Sequence, residues 1–170
     1  MLQRIAGILI ALVGVALTLA GCADLAYYRQ AALGQWALWQ VRQPVAEALA
    51  DPATSPELRR RLTTAQELRA FASVELALPD NASYQDYADL GRPWAVRNVF
   101  AAPELSLEPH QWCFWIVGCL SYRGYFDAEA ARRLADELRA SGEDVYVADV
   151  AAYSTLGWFD DPLLNTFIHW

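Results

Sequence analysis

The chain contains no lysine: all 13 of its basic residues are arginines, set against 20 acidic residues for a formal net charge of −7. A surface that tracks nucleic acid needs clustered cations to displace counterions from phosphates. Here the arginines are dispersed among acids, and Arg59, Arg60 and Arg61 form the only tight run. That run reads as the solvated face of a helix, so no nucleic-acid partner is expected. Histidine is equally scarce. His110 and His169 are the only two and fall in no ligand pattern, whereas a catalytic zinc ordinarily draws on three protein ligands. The glycine-rich signatures of nucleotide binding and the serine-nucleophile elbow are missing as well. Absent lysine and abundant alanine together read as genomic composition bias without functional weight.

What is present begins at the amino terminus. A short cationic start at Arg4, an apolar stretch from Ile5 onward and small residues at Ala20 and Gly21 form the arrangement of a secretory signal. The uncharged run over residues 5–23 is borderline for the roughly 20 apolar residues a membrane span needs. Leu19-Ala20-Gly21-Cys22 decides between the two, because it resembles the bacterial lipobox, in which the cysteine is acylated before cleavage. The expectation is a signal peptide over residues 1–21 and a mature chain starting at lipidated Cys22, anchored in the cell envelope and facing the periplasm. Removing Arg4 leaves 12 basic residues against 20 acidic ones, a net charge of −8. Ala23 rather than aspartate after the cysteine favours the outer over the inner membrane.

Residues 22–79 read as a helical amino-terminal region. From Leu25 to about Leu49 apolar positions recur at helical spacing, with a break or kink at Pro44. A second helix opens with Ser55 as N-cap, Pro56 in its first turn and Glu57 behind it, presents Leu58, Leu62, Ala65, Leu68, Ala72 and Leu76 on one face, and ends before Pro79. Residues 80–170 read as α/β. Residues 94–100 alternate as a strand does, and the apolar run over residues 112–117 suits a buried strand. Asp127 caps a helix with the stripe Ala131, Leu134, Ala135 and Leu138 and a stop at Gly142. Residues 145–150 form the next strand. Residues 151–162 are a loop, and residues 163–170 start a further apolar segment expected to lie exposed. The fold class is therefore mixed α+β: amino-terminal helices, then a small sheet crossed by a helix.

Cys113 and Cys119 lie six positions apart, too far to bridge within one extended strand. A disulfide between them requires a turn near Val117 and Gly118; two free thiols or a metal or redox role are the alternatives. Asp160 and Asp161 beside Pro162 could pair as carboxylates, but read better as acids satisfying amides at a helix start.

The block Trp112-Cys113-Phe114-Trp115-Ile116-Val117-Gly118-Cys119-Leu120-Ser121-Tyr122-Arg123-Gly124-Tyr125-Phe126-Asp127, together with Ala152-Tyr153-Ser154-Thr155-Leu156-Gly157-Trp158-Phe159-Asp160-Asp161-Pro162-Leu163-Leu164, resembles the zinc aminopeptidase family of bacterial lipoproteins. Trp115 departs from the proline expected in the family. The resemblance implies the front half of a gluzincin-like metallopeptidase that removes amino-terminal residues from peptides in the envelope. Its HExxH helix supplies zinc ligands and the general base. No HExxH occurs here. The family places it soon after Asp160-Asp161-Pro162-Leu163-Leu164, so residues 80–170 are expected to be an incomplete aminopeptidase domain that holds no catalytic residue and no zinc of its own, zinc belonging to the full-length protein. The segment preceding the metal helix in such peptidases runs beside the substrate backbone, which implicates Tyr153, Ser154, Thr155, Leu156 and Gly157 in peptide binding; an ordinary turn with packed aromatics is the alternative. The rival to the enzyme is a non-catalytic envelope lipoprotein serving as an interaction or scaffold module.

Overall fold

The computed structural model describes residues 25–114 and 117–168; the signal segment, Cys22, Trp115 and His169 lie outside them. The mixed α+β expectation holds. Among the described residues the chain carries two three-stranded sheets, a two-stranded hairpin and packed helices. No described helix is long and apolar enough to cross a membrane.

Helix α1 occupies residues 25–40. The break expected at Pro44 takes the form of strand β1 (Arg42–Pro44), after which helix resumes as a short α2 (Val45–Ala50). The residue before a proline is pushed out of the α region, and Pro44 is itself extended at ψ 135°, so the chain straightens before it coils again. β1 pairs antiparallel with β2 (Asp86–Ala88), and β2 pairs parallel with β8 (Leu163–Leu164). Three distant segments thus make one sheet joining the helical and α/β regions. Val45, Ala48, Leu62, Tyr87 and Leu163 form the core against it. The carboxy-terminal apolar segment is therefore not exposed as expected: Leu163 and Leu164 are buried, and Phe167 of helix α5 (Asn165–Ile168) packs on the same cores.

Helix α3 (Pro56–Val74) starts as its sequence dictates, the Ser55 hydroxyl accepting the Leu58 N–H at 3.2 Å. Only the first part of its apolar stripe is used. Leu62 is fully buried, with Leu58 and Ala65 beside it, while Leu68 and Phe71 stand exposed, as does Leu76 beyond the helix. The helix stops short of Pro79, and Ala77 takes a left-handed φ of 52°. The arginine run is more than a solvated face. Arg59 donates to the carbonyls of Leu49 and Asp51, closing the end of α2, and Arg61 pairs with Glu57 and donates to the Ile168 carbonyl at 2.6 Å.

The second sheet is antiparallel, in the order β6 (Arg123–Tyr125), β3 (Val96–Pro103), β7 (Glu143–Val150). Since β6 and β7 both run against β3, they are parallel to one another, and helix α4 (Ala128–Ala140) is the crossover between them. Asp127 caps α4 by accepting the Glu129 and Ala130 amides. Ala131 and Ala135 are fully buried against Val99 and Tyr125. The run expected as a buried strand over residues 112–117 is instead one arm of a hairpin, β4 (Trp112–Phe114) with β5 (Gly118–Leu120), in which only Trp112 of β4 is buried. Cys113 and Cys119 face one another across it, joined by a disulfide.

Helix α1 lies across both sheets, with Tyr27 packed beside Val99 and Tyr125 and Leu38 beside Ala88 and Leu164. It packs closely at Gly34, where an added Cβ would sit 2.1 Å from the Phe126 ring. Alanine gains up to about 1 kcal/mol over glycine inside a helix, but overpacking costs about 1–3 kcal/mol. Gly34→Ala is therefore expected to lower stability by about 1–2 kcal/mol, read as a lower urea midpoint at unchanged slope; a raised midpoint would show that α1 does not seat on Phe126.

Candidate functional site

Residues 153–157 occupy the first part of a long loop between β7 and β8, and the loop is internally bonded. Asp161 is its hub. The carboxylate accepts the Thr155 amide at 3.1 Å and the Thr155 hydroxyl at 2.8 Å, and stands 3.3 Å from the Ser154 hydroxyl. The Ser154 hydroxyl accepts the Leu156 amide, and that of Thr155 accepts the Phe159 amide. Asp161 therefore satisfies an amide, as expected of an acid there, but that of Thr155 in its own loop rather than those of a helix start. The Asp161 carbonyl also accepts the Tyr84 amide at 2.7 Å, tying the loop to the segment leading into β2. Leu156 and Gly157 take consecutive left-handed conformations, φ 56° and 79°. Glycine accepts this freely; for leucine it costs roughly 1–2 kcal/mol.

Tyr153 fixes the other end. Its hydroxyl donates to the Gln35 side-chain oxygen of α1 at 2.6 Å, and its ring meets Phe126 edge-on at 5.2 Å. Burial pushes its phenol well above the usual range and the Asp161 charge adds to this, against the lowering effect of the Gln35 bond. It is a positioning group held neutral, not a base.

Two clefts share this loop as a wall. The larger, about 830 Å³, runs between the loop and α3, with Arg61, Leu68 and Arg69 on one side, Ser154, Gly157 and Asp161 on the other and Ile168 at its end. A Cβ added at Gly157 meets nothing within 4 Å, so a chain can approach its backbone there. The second, about 680 Å³, lies between the loop, the start of α1 and the β4–β5 hairpin. The structure thus gathers residues 153–157 at one site and sets the Cys113–Cys119 hairpin near it, with Val117 and Leu156 on the same cleft.

Zinc does not fit the residues in view. Among the described residues no three His, Cys, Asp or Glu side chains converge as a ligand set. His110 stacks on Trp112 with ring centroids 4.5 Å apart and brings Nδ1 to 3.3 Å from Glu143. Sequence reasoning missed Asp161 as the organiser of the loop; the adjacent hydroxyls of Ser154 and Thr155 followed by Gly157 were the available signal, since such residues bond within tight turns.

The model of a family described as "Putative aminopeptidase" matches residues 26–170. No curated protein and no solved structure matched the chain.

Removing the hub tests the loop. Asp161→Ala is expected to cost about 1–3 kcal/mol by stranding the Thr155 donors and to speed hydrogen exchange at the Thr155 and Phe159 amides; unchanged exchange would show that the loop is held otherwise. A second test reads the cleft wall at Tyr27, whose phenol burial raises to about 12, against the lowering pull of Arg123. Its unfolded value is near 10, so the folded form keeps its proton longer. The stability it contributes is complete below pH of about 10 and is lost between about 10 and 12. Tyr27→Phe should flatten the fall in urea midpoint between pH 9 and pH 11; an equal fall in both proteins would contradict the assignment.

Proposed function

The chain belongs to this aminopeptidase family, and from that premise we propose that it is the amino-terminal, envelope-exposed part of a membrane-anchored zinc-dependent aminopeptidase acting on peptides. The observation that carries the reading is the family match across residues 26–170. The larger cleft supports it. It offers an open groove with an unobstructed backbone at Gly157, apolar walls from Leu68 and Ile168, and guanidinium groups from Arg61 and Arg69, a mixture suited to a peptide rather than to a flat cofactor. Anchoring rests on the lipobox ending at Cys22, with the outer membrane as the favoured location. The hydroxyls of Ser154 and Thr155 are spent inside the loop, so backbone approach at Gly157, rather than hydroxyl donation, is the assigned way of meeting substrate.

The HExxH helix that the family resemblance implies is assigned the metal centre; among the described residues no set of three potential ligands occurs. The group supplies a Lewis-acidic, water-activating centre when bound; residues 25–168 contribute a cleft wall and its orientation. The polypeptide from the complete reading frame is expected to release nitroaniline from aminoacyl p-nitroanilides, to fall to background with phenanthroline and to recover with zinc, whereas residues 1–170 alone release none. No turnover by the complete protein with zinc present would sink the enzyme reading and leave the non-catalytic interaction module in its place.

A further inference from the structure

Three segments far apart in sequence place their apolar side chains on one edge of the molecule: the start of α1, the tip of the β4–β5 hairpin and residues 154–159. Tyr28, Val117, Leu156, Trp158 and Phe159 all line the 680 Å³ cleft there and are all substantially exposed, Leu156 by 69% and Trp158 by 68%. Leu25, one helical turn before Tyr28, is exposed too. None of the residues lining this cleft carries a charge, in a chain where roughly one residue in five is charged. An edge meant for water or for a charged partner is not built this way. Tryptophan and tyrosine flanked by aliphatic side chains match the chemistry of the bilayer interface, where an amphipathic ring keeps its polar atom among headgroups and its body among upper acyl carbons.

We propose that this edge seats in the headgroup layer of a phospholipid bilayer, with Leu156, Trp158, Phe159, Val117 and Tyr28 as its contact residues. The inference rests on the anchoring at Cys22 proposed above. Cys22 precedes Leu25 by three residues, which at a maximal 3.6 Å per residue spans about 11 Å whatever the path. A hydrocarbon core is about 30 Å thick, with a polar layer on each side. An acylated sulfur at the membrane surface therefore holds the first turn of α1, and with it the adjoining cleft, within reach of the headgroups. The consequence for function is orientation. Residues 153 and 154 line both clefts, and the Asp161 bonds make the loop a fixed wall, so seating one side on lipid sets the height at which the other cleft meets peptides.

The test uses the full acylated chain carrying Leu156→Cys or, separately, Val117→Cys, each labelled with an environment-sensitive nitrobenzoxadiazole probe. Cys113 and Cys119 are consumed in their disulfide and Cys22 by acylation. Thr63→Cys on α3, which contributes nothing to this cleft, is the reference. On phosphatidylcholine vesicles the probes at 156 and 117 should shift to the blue, be quenched by doxyl-labelled lipid and show several-fold less iodide quenching than the probe at 63. Vesicle flotation of the chain with iodide quenching equal at all three positions would overturn the seating while leaving the anchor intact. Protection from iodide without doxyl quenching would overturn it in favour of a protein occupant. Failure to float would instead remove the anchor, and the seating with it.

Discussion

Strands of two or three residues, such as β1, β2, β6 and β8, satisfy few backbone groups on their own, and a buried carbonyl left unpaired costs about 1–3 kcal/mol. Arginines instead answer carbonyls at the helix ends and in the loops beside these elements. Arg59 closes α2 through the Leu49 and Asp51 carbonyls, Arg61 holds the Ile168 carbonyl, Arg69 the Ser83 carbonyl at 3.0 Å, and Arg92 the carbonyls of Trp94 and Ala95, both at 3.0 Å. A forked, planar guanidinium can answer two or three carbonyls at once, where an ammonium acts as a point charge. The basic residues that composition assigns to the solvent thus stitch turns and helix ends to one another. Arg61 does so across 107 residues, binding α3 to the far end of the described chain.

That stitching explains how a fold with little continuous sheet stays in one piece. β2 is the meeting point, with β1 on one edge and β8 on the other, and α1 covers the gap between this sheet and the second by burying Leu38 at one end and packing Tyr27 at the other. Close seating at Gly34 is what lets a single helix serve both. A bulkier residue there would hold α1 off Phe126, and with it the Gln30 side-chain oxygen that accepts the Phe126 amide at 3.1 Å.

Local signals in the sequence were legible where the physics is local. Ser55 and Asp127 cap the helices that their side chains can cap, Gly142 ends α4 at a left-handed φ of 89°, β3 overlaps the alternating run over residues 94–100, and β7 contains the strand expected over residues 145–150. The elements that escaped are those created by partners. β8 is two residues long and exists because β2 offers it an edge; β1 exists because Pro44 straightens the chain opposite Asp86 and Tyr87. The apolar run after Trp112 has the composition of a buried strand, yet Gly118, at φ 75°, lets it fold back on itself, which periodicity alone does not reveal. At the candidate site, residues 153–157 were identifiable as special through the family resemblance. The hydroxyls of Ser154 and Thr155 are directed inward by Asp161, a carboxylate six residues from Thr155, while that of Tyr153 donates to Gln35.

The two clefts that this loop divides differ in what they can hold, and the difference lies in charge rather than size. The α3 side places Arg61 and Arg69, each already bonded to carbonyl and carboxylate partners, among apolar neighbours and contains Asp161, so its wall is mixed in polarity. The α1 side has aromatic rings, aliphatic side chains and no charge, with its two loop hydroxyls turned to partners inside the loop, so it suits an apolar occupant better than a charged one. One loop therefore carries two chemistries on its two faces. The bonds that hold it, from Tyr153 to Gln35 and from Thr155 to Asp161, keep those faces from exchanging roles.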